Sequence, residues 1–194
     1  MSVGRPLEFE PEKALQAAME VFWRQGYEAT SLQDLLKAMK LSKSSFYQSF
    51  GSKHQLFEMC INRYQDMVTA TMIEALNHSS SAREFILNSF YTVAKEARKG
   101  KTKGCLVLNS ANEFSQNDPV IAACVASGIE NFTNVFLLAV KRAQSEGTIS
   151  TNKTAEALAS YLMSSMSGIK TLVKAGTSET KVKEIIEIVI SVLD

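Results

Sequence analysis

Apolar residues recur along this chain at spacings of three and four, and no segment keeps the strict alternation of a half-buried strand. Leu15, Ala18, Met19 and Phe22 share one helical face. Leu32, Leu35, Leu36 and Met39 share a second, and Leu56, Cys60, Tyr64, Val68 and Thr71 form a longer stripe. Proline is absent between Pro11 and Pro119 and again after Pro119, so little interrupts helix formation. The pattern predicts an all-α protein.

Start and stop signals divide the pattern. Pro11 suits the first position of a helix, and Gly26 closes that helix as a left-handed cap. Thr30 to Gln33 reads as a capping box opening a second helix. Ser42 caps a short third helix carrying Phe46 and Phe50, which ends at Gly51. Ser52 with Gln55 opens a long fourth helix running out at Asn77 to Ser80, and Ser81 with Glu84 caps a fifth. Residues 98–104, R-K-G-K-T-K-G, form a basic loop. A shorter helix follows from Cys105 to Phe114, then a long one from Asp118-Pro119 toward Glu146. Two more are expected from about Thr154 to Ala175 and from about Ser178 onward. The natural division lies at the start of the fourth helix, giving a domain over 1–52 and another over 53–194.

Composition narrows the class. The 194 residues are 45% hydrophobic and 21% charged, with a net charge of +1, the profile of a globular chain rather than a disordered one. No run approaches the ~18 apolar residues of a membrane span, and the N-terminus does not read as a secretory signal. Three dispersed cysteines, Cys60, Cys105 and Cys124, make neither a disulfide framework nor a metal pair. A reducing, cytoplasmic setting is expected, with no membrane partner, no metal and no cofactor. No nucleophile elbow, zinc-protease signature or dinucleotide fingerprint is present, so an enzyme is not expected.

A net charge near zero argues at first against a nucleic-acid partner. The local distribution reverses that reading. From Leu35 to Phe57 there are four lysines, Lys37, Lys40, Lys43 and Lys53, and no acid. Over residues 1–60 as a whole the seven basic residues are matched by seven acidic ones, so the charge is segregated rather than abundant. Phosphate contacts need only such a patch, because salt confines exposed charges to a range of ~8 Å.

The same window reads as a helix-turn-helix, two short helices of which the second enters the major groove. Leu32, Leu35, Leu36, Leu41, Phe46 and Phe50 supply the inward positions. Lys43, Ser44, Ser45, Tyr47 and Gln48 supply small, polar or basic outward positions. The run T-S-L-Q-D-L-L-K-A-M-K-L-S-K-S-S-F-Y-Q-S-F-G-S-K-H-Q-L-F, Thr30 to Phe57, resembles the DNA-binding domain of the tetracycline-repressor (TetR) family. Ala18 to Glu28 is similar to that family's first helix, and Lys103 to Phe114 to a segment of one of its branches. Lys40 departs from the pattern, standing where the family usually has glycine in the turn.

The resemblance implies a ligand-responsive transcriptional regulator, a repressor released from a palindromic double-stranded DNA operator by a small-molecule inducer. It implies phosphate contacts from Thr30, Ser31, Tyr47 and Lys53, and a groove-facing set of Ser42, Lys43, Ser44 and Ser45. Lys43, Ser44 and Gln48 are the expected base readers. Arg5, in an N-terminal arm, could reach a minor groove. The family also implies an inducer cavity among the middle helices, for which Met67, Phe90, Asn109, Asn131, Phe132, Phe136, Met163 and Met166 are the candidates. A homodimer is expected through the last two helices, at Ala155, Leu158, Ala159, Leu162, Ile169, Ile185, Ile186 and Val189. The alternative is a helical small-molecule-binding or thiol redox-sensing protein without sequence-specific DNA binding.

Overall fold

Side-chain caps set where the helices begin. The computed structural model describes residues 10–99, 102–114 and 118–194, and these form helices and no strand. The helices are α1 (Pro11–Gln25), α2 (Leu32–Met39), α3 (Lys43–Phe50), α4 (Lys53–His78), α5 (Ala82–Ala97), α6 (Leu106–Phe114), α7 (Pro119–Ser145), α8 (Ala155–Lys174) and α9 (Glu179–Ser191). Ser42, Ser52, Ser81, Thr154 and Ser178 each accept a backbone N–H from the first turn of their helix. Asp118 accepts from both Val120 and Ile121 at the start of α7.

Two boundary details differ from the sequence reading. The capping box at α2 is Ser31 with Asp34, one residue later than Thr30 with Gln33. Thr30 is turned inward instead, 1% exposed, with its hydroxyl donating to the Gly26 carbonyl at 2.6 Å. Gly26 has the positive φ of a left-handed cap but an extended ψ of 173°, so the chain leaves α1 directly into the next turn.

The first four helices wrap a core of Met19, Phe22, Leu35, Phe46, Leu56 and Phe57, each no more than 1% exposed. Phe22 and Phe57 meet edge to face at 4.8 Å. α4 then leaves this head and runs into the body, where α7 packs on α4, α5, α6 and α8, and α9 packs on α5 and α8. α7 is apolar and long enough by composition alone to cross a membrane. Ile121, Val125, Phe132, Phe136 and Val140 turn its apolar stripe inward instead, as in the central helix of a bundle.

Most of the residues expected at a dimer surface are covered within the chain itself. Ala155, Leu158, Ala159, Leu162 and Ile169 of α8, with Ile186 and Val189 of α9, are buried inside the single chain, and Ile185 is half-buried. They pack toward α5 and α7 because those helices already offer an apolar face. What α8 and α9 leave outside is a different stripe: Ala157, Ser160, Ser164, Gly168 and Leu172, with Ile188 at 70% exposure.

Candidate functional site

The outer face of α3 is built by its inner one. Phe46 and Phe50 lie one turn apart and are buried, which fixes the rotation of the helix. Lys43, Ser44, Tyr47 and Gln48 are thereby exposed, and Tyr47, 47% exposed, stands edge-on to Phe46 at 5.4 Å. The Ser42 hydroxyl accepts the Ser45 N–H at 3.1 Å and meets the Ser45 hydroxyl at 2.9 Å, so both serines order the first turn. Lys40 adopts the left-handed conformation, φ 57° and ψ 42°, and its N–H donates to Leu36. The turn that the family usually makes with glycine is therefore made with lysine.

Lys53 opens α4 with its ammonium 4.1 Å from the centre of the Tyr27 ring, a cation–π contact that holds it beside the head. The Ser31 hydroxyl is occupied by Asp34, whose carboxyl this bond, together with the Ser31 N–H, keeps below the ordinary carboxylate range. Thr30, buried and bonded to Gly26, has no hydroxyl to offer phosphate, which corrects the contact expected from it. Arg5 lies outside the described residues.

A second feature lies in the body: a cavity of about 650 Å³ between α4, α5, α7, α8 and the segment leading into α6. Of the expected lining residues, Phe132, Phe136, Met163 and Met166 face it, joined by Tyr64, Val68, Met72, Phe85 and Leu108. The other four lie elsewhere. Met67 is 41% exposed on the opposite face of α4, in a shallow surface depression with Met59 and Arg63. Phe90 is fully buried and packs on Phe136, 6.2 Å between ring centres. Asn109 is tied to the Lys103 carbonyl and to the Lys174 ammonium, each at 2.9 Å. Asn131 is half-buried and away from the cavity wall. Helical periodicity gives the buried face of a helix but not which part of that face remains unfilled.

Residues that sequence reasoning passed over join the two features. Trp23 of α1 lines the cavity, and its indole N–H donates to the Gly104 carbonyl at 3.1 Å. Lys103 lies over the same ring at 4.5 Å and pairs with Glu20. At the far end of α6, the Glu113 carboxylate accepts the N–H groups of Tyr27 and Glu28, at 3.0 and 2.7 Å. That carboxylate stands 3.1 Å from where a Cβ on Gly26 would lie. α6 therefore touches the cavity with its first turn and holds the head with its last. A third link is the 2.6 Å contact between His54 at the start of α4 and Asp118. The Ile121 N–H first, and then His54, hold the Asp118 carboxyl below its ordinary range. The opposite end of α4 is locked to α7 by Arg142, which donates to the Leu76 and Ser79 carbonyls.

The cysteines differ in setting. Cys60 is sealed in the head and Cys105 is buried at the cavity wall, whereas Cys124 is half-buried. Burial pushes the Cys60 and Cys124 thiols up, and the Tyr64 hydroxyl beside Cys105 is also pushed up by burial. Among the described residues no group of acids, histidines and cysteines is arranged to hold a metal ion.

Comparison with known proteins follows the same division. Residues 14–60 match the model for bacterial regulatory proteins of the tetR family, and residues 82–189 match that for a tetracyclin repressor-like C-terminal domain. The HTH-type transcriptional regulator YezE of Bacillus subtilis is 30% identical over 194 residues, which cover 99% of this chain and 100% of that protein. The Escherichia coli transcriptional repressor ComR is 28% identical over 186 residues, 95% of this chain and 89% of the relative. Among solved structures, a cysteine variant of the regulator CifR in complex with 26-bp operator DNA superposes with a TM-score of 0.82 at 24% identity, covering 98% of this chain and 100% of that one. Reduced E. coli NemR superposes at 0.84 with 19% identity, covering 92% and 93%. At those identities the structures establish the shared fold.

Proposed function

This chain belongs to the TetR family of helix-turn-helix transcriptional regulators, and on that footing we propose that it is a dimeric repressor released from its operator by a ligand in the α4–α8 cavity. The observation that carries DNA recognition is α3 itself, which buries two phenylalanines and turns Lys43, Ser44, Tyr47 and Gln48 outward. That face sits in a 23-residue stretch with four lysines and no acid. Lys43, Ser44 and Gln48 read base edges. The Tyr47 hydroxyl, Lys53 and the first turns of α2 and α3, at Ser31, Ser42 and Ser45, position the phosphate backbone.

A single head offers too few contacts for tight specific binding, and two heads on one assembly raise the effective concentration of the second. The exposed small-residue stripe of α8 and Ile188 of α9 form the two-fold contact, with Ile185 at its edge. Two helices from each protomer then make a four-helix bundle. The division into a head over 1–52 and a body over 53–194 follows from these roles.

Release is a matter of differential binding. A ligand that favours the DNA-incompetent arrangement by ~1–3 kcal/mol lowers operator affinity ~5- to 150-fold. α4 is pinned to α7 at one end by Arg142 and carries the head at the other, so a change in cavity width alters the angle of the head. No step of this scheme needs catalysis.

The test is selection of fragments from the source genome by the full-length protein, followed by footprinting. Two protected half-sites related by two-fold symmetry are expected, and Lys43→Ala with Tyr47→Phe abolishes their enrichment. Equal retention of the same fragments by the variant and the unaltered protein contradicts the assignment.

A further inference from the structure

The cavity is apolar along most of its wall and basic at one end. Lys99, at the C-terminal end of α5, and Lys103, just before α6, line it from the R-K-G-K-T-K-G stretch. Lys170 lines the same cavity from α8, some seventy positions away in sequence. One turn further on, Lys174 reaches Asn109 beside Gly104, its Cδ 3.2 Å from where a Gly104 Cβ would stand. Two distant segments thus deliver lysines to one end of one hollow.

Those charges are only partly compensated. Glu20 takes Lys103 and Glu179 takes Arg98, while Lys174 bonds a neutral amide. Among the described residues Lys99 and Lys170 have no ion-pair partner, and Glu96 is the one acid in the wall. Cations gathered at an apolar hollow repel one another, and the low-dielectric walls focus their field into the space where a ligand lies. Phe132, Phe136, Met163 and Met166 supply an apolar part of the same wall, side chains that favour a hydrocarbon or aromatic body.

We propose that the ligand of this cavity is an amphipathic organic anion, its apolar body against the α7–α8 wall and its acid group at Lys99 and Lys170. The proposal rests on the cavity being the effector site and specifies the chemistry it accepts. It also assigns a role to Lys99 and Lys170, which lie outside the DNA-reading head.

Trp23 is the only tryptophan in the chain and lines the cavity, so its emission reports occupancy. Three probes with one tail and different heads separate the possibilities: decanoate, decan-1-ol and decyltrimethylammonium, each titrated below its micellar concentration. Decanoate is expected to bind at least tenfold more tightly than decan-1-ol, with the cation weakest, as a charge-assisted contact at a partly desolvated site requires. In the Lys99→Gln, Lys170→Gln double variant the decanoate affinity falls about tenfold toward that of the alcohol, while the alcohol itself shifts by less than threefold. Equal binding of acid and alcohol, or a double variant that binds decanoate as before, overturns the anion proposal and leaves the cavity as an apolar site. If none of the three probes perturbs Trp23 emission or the melting temperature, the cavity is not a site for such molecules and both readings fail.

Discussion

Lys40 shows how much one side chain can reveal. Its left-handed backbone costs an L residue about 1–2 kcal/mol, a strain glycine does not carry, and it still places a cation in the turn before α3. Lys40→Gly is therefore expected to stabilise the protein by about 1 kcal/mol, raising Tm by ~2–4 °C, while weakening non-specific DNA binding. An unchanged or lowered Tm in a melting experiment would count against strain at this turn. Asp118 makes a second residue-level prediction. Its carboxyl is held below the unfolded value of ~3.9, so the stability it contributes is present above that pH and is lost as the pH falls through the lower folded value. In urea titrations, Asp118→Ala should be clearly less stable than the unaltered protein at pH 5, and the gap should narrow toward pH 3. A gap that stays constant over that range is incompatible with an ionised cap. At the groove face, Lys43→Ala should cost ~1–3 kcal/mol of operator affinity if it reads a base, and change preference at one position.

At the level of helices, α6 is the connection between cavity and head. Its last turn places the Glu113 carboxylate on two consecutive backbone N–H groups, and its first turn forms cavity wall beside Trp23. Glu113→Ala should raise amide exchange at Tyr27 and Glu28 and cost about 1 kcal/mol, since charged hydrogen bonds at an exposed site are lost. Exchange there that matches the unaltered protein would remove Glu113 from the linkage. The helices themselves were legible in sequence because serine, threonine and proline caps and glycine stops are local signals. The helix-turn-helix was legible for the same reason, with Phe46 and Phe50 fixing which residues of α3 point outward. Thr30 was misread because a one-residue shift of the cap, set by a hydroxyl turning toward Gly26, leaves no mark in the spacing. Glu113, Trp23 and the His54–Asp118 pair were invisible because their partners lie 64 to 86 positions away.

The whole molecule is governed by which faces are already covered. The last two helices were expected to carry the dimer contact, yet their apolar faces are consumed by the chain's own α5 and α7. The surface they leave exposed is small-residue rather than aliphatic, apart from Ile188 and Leu172. Two glycines separate close packing inside the chain from an open face. A Cβ at Gly128 would lie 2.9 Å from Gln65 Oε1 and 3.0 Å from a Val107 methyl, whereas one at Gly168 meets nothing within 4 Å. Gly128→Ala should destabilise the fold by about 1 kcal/mol or more, overpacking outweighing helix propensity. Gly168→Glu should leave the fold intact and shift the protein toward monomer in sedimentation, with a parallel loss of operator affinity. A dimer unaffected by that charge would place the interface elsewhere.

The net charge of +1 hides a charge map with two basic regions, one on the head and one at the cavity mouth. The central claim concerns the first. The most direct measurement is the salt dependence of binding to the genomic duplex that the protein enriches most strongly. A dimer neutralising ~6–10 phosphates should lose ~10³–10⁵ in affinity between 50 and 200 mM salt, with a linear log–log slope. The Lys53→Ala variant, which removes a phosphate contact from each head, should lower the slope by about 1 per head. A steep slope carried by the head is the predicted result, and affinity that stays flat across this range would contradict DNA binding through α3.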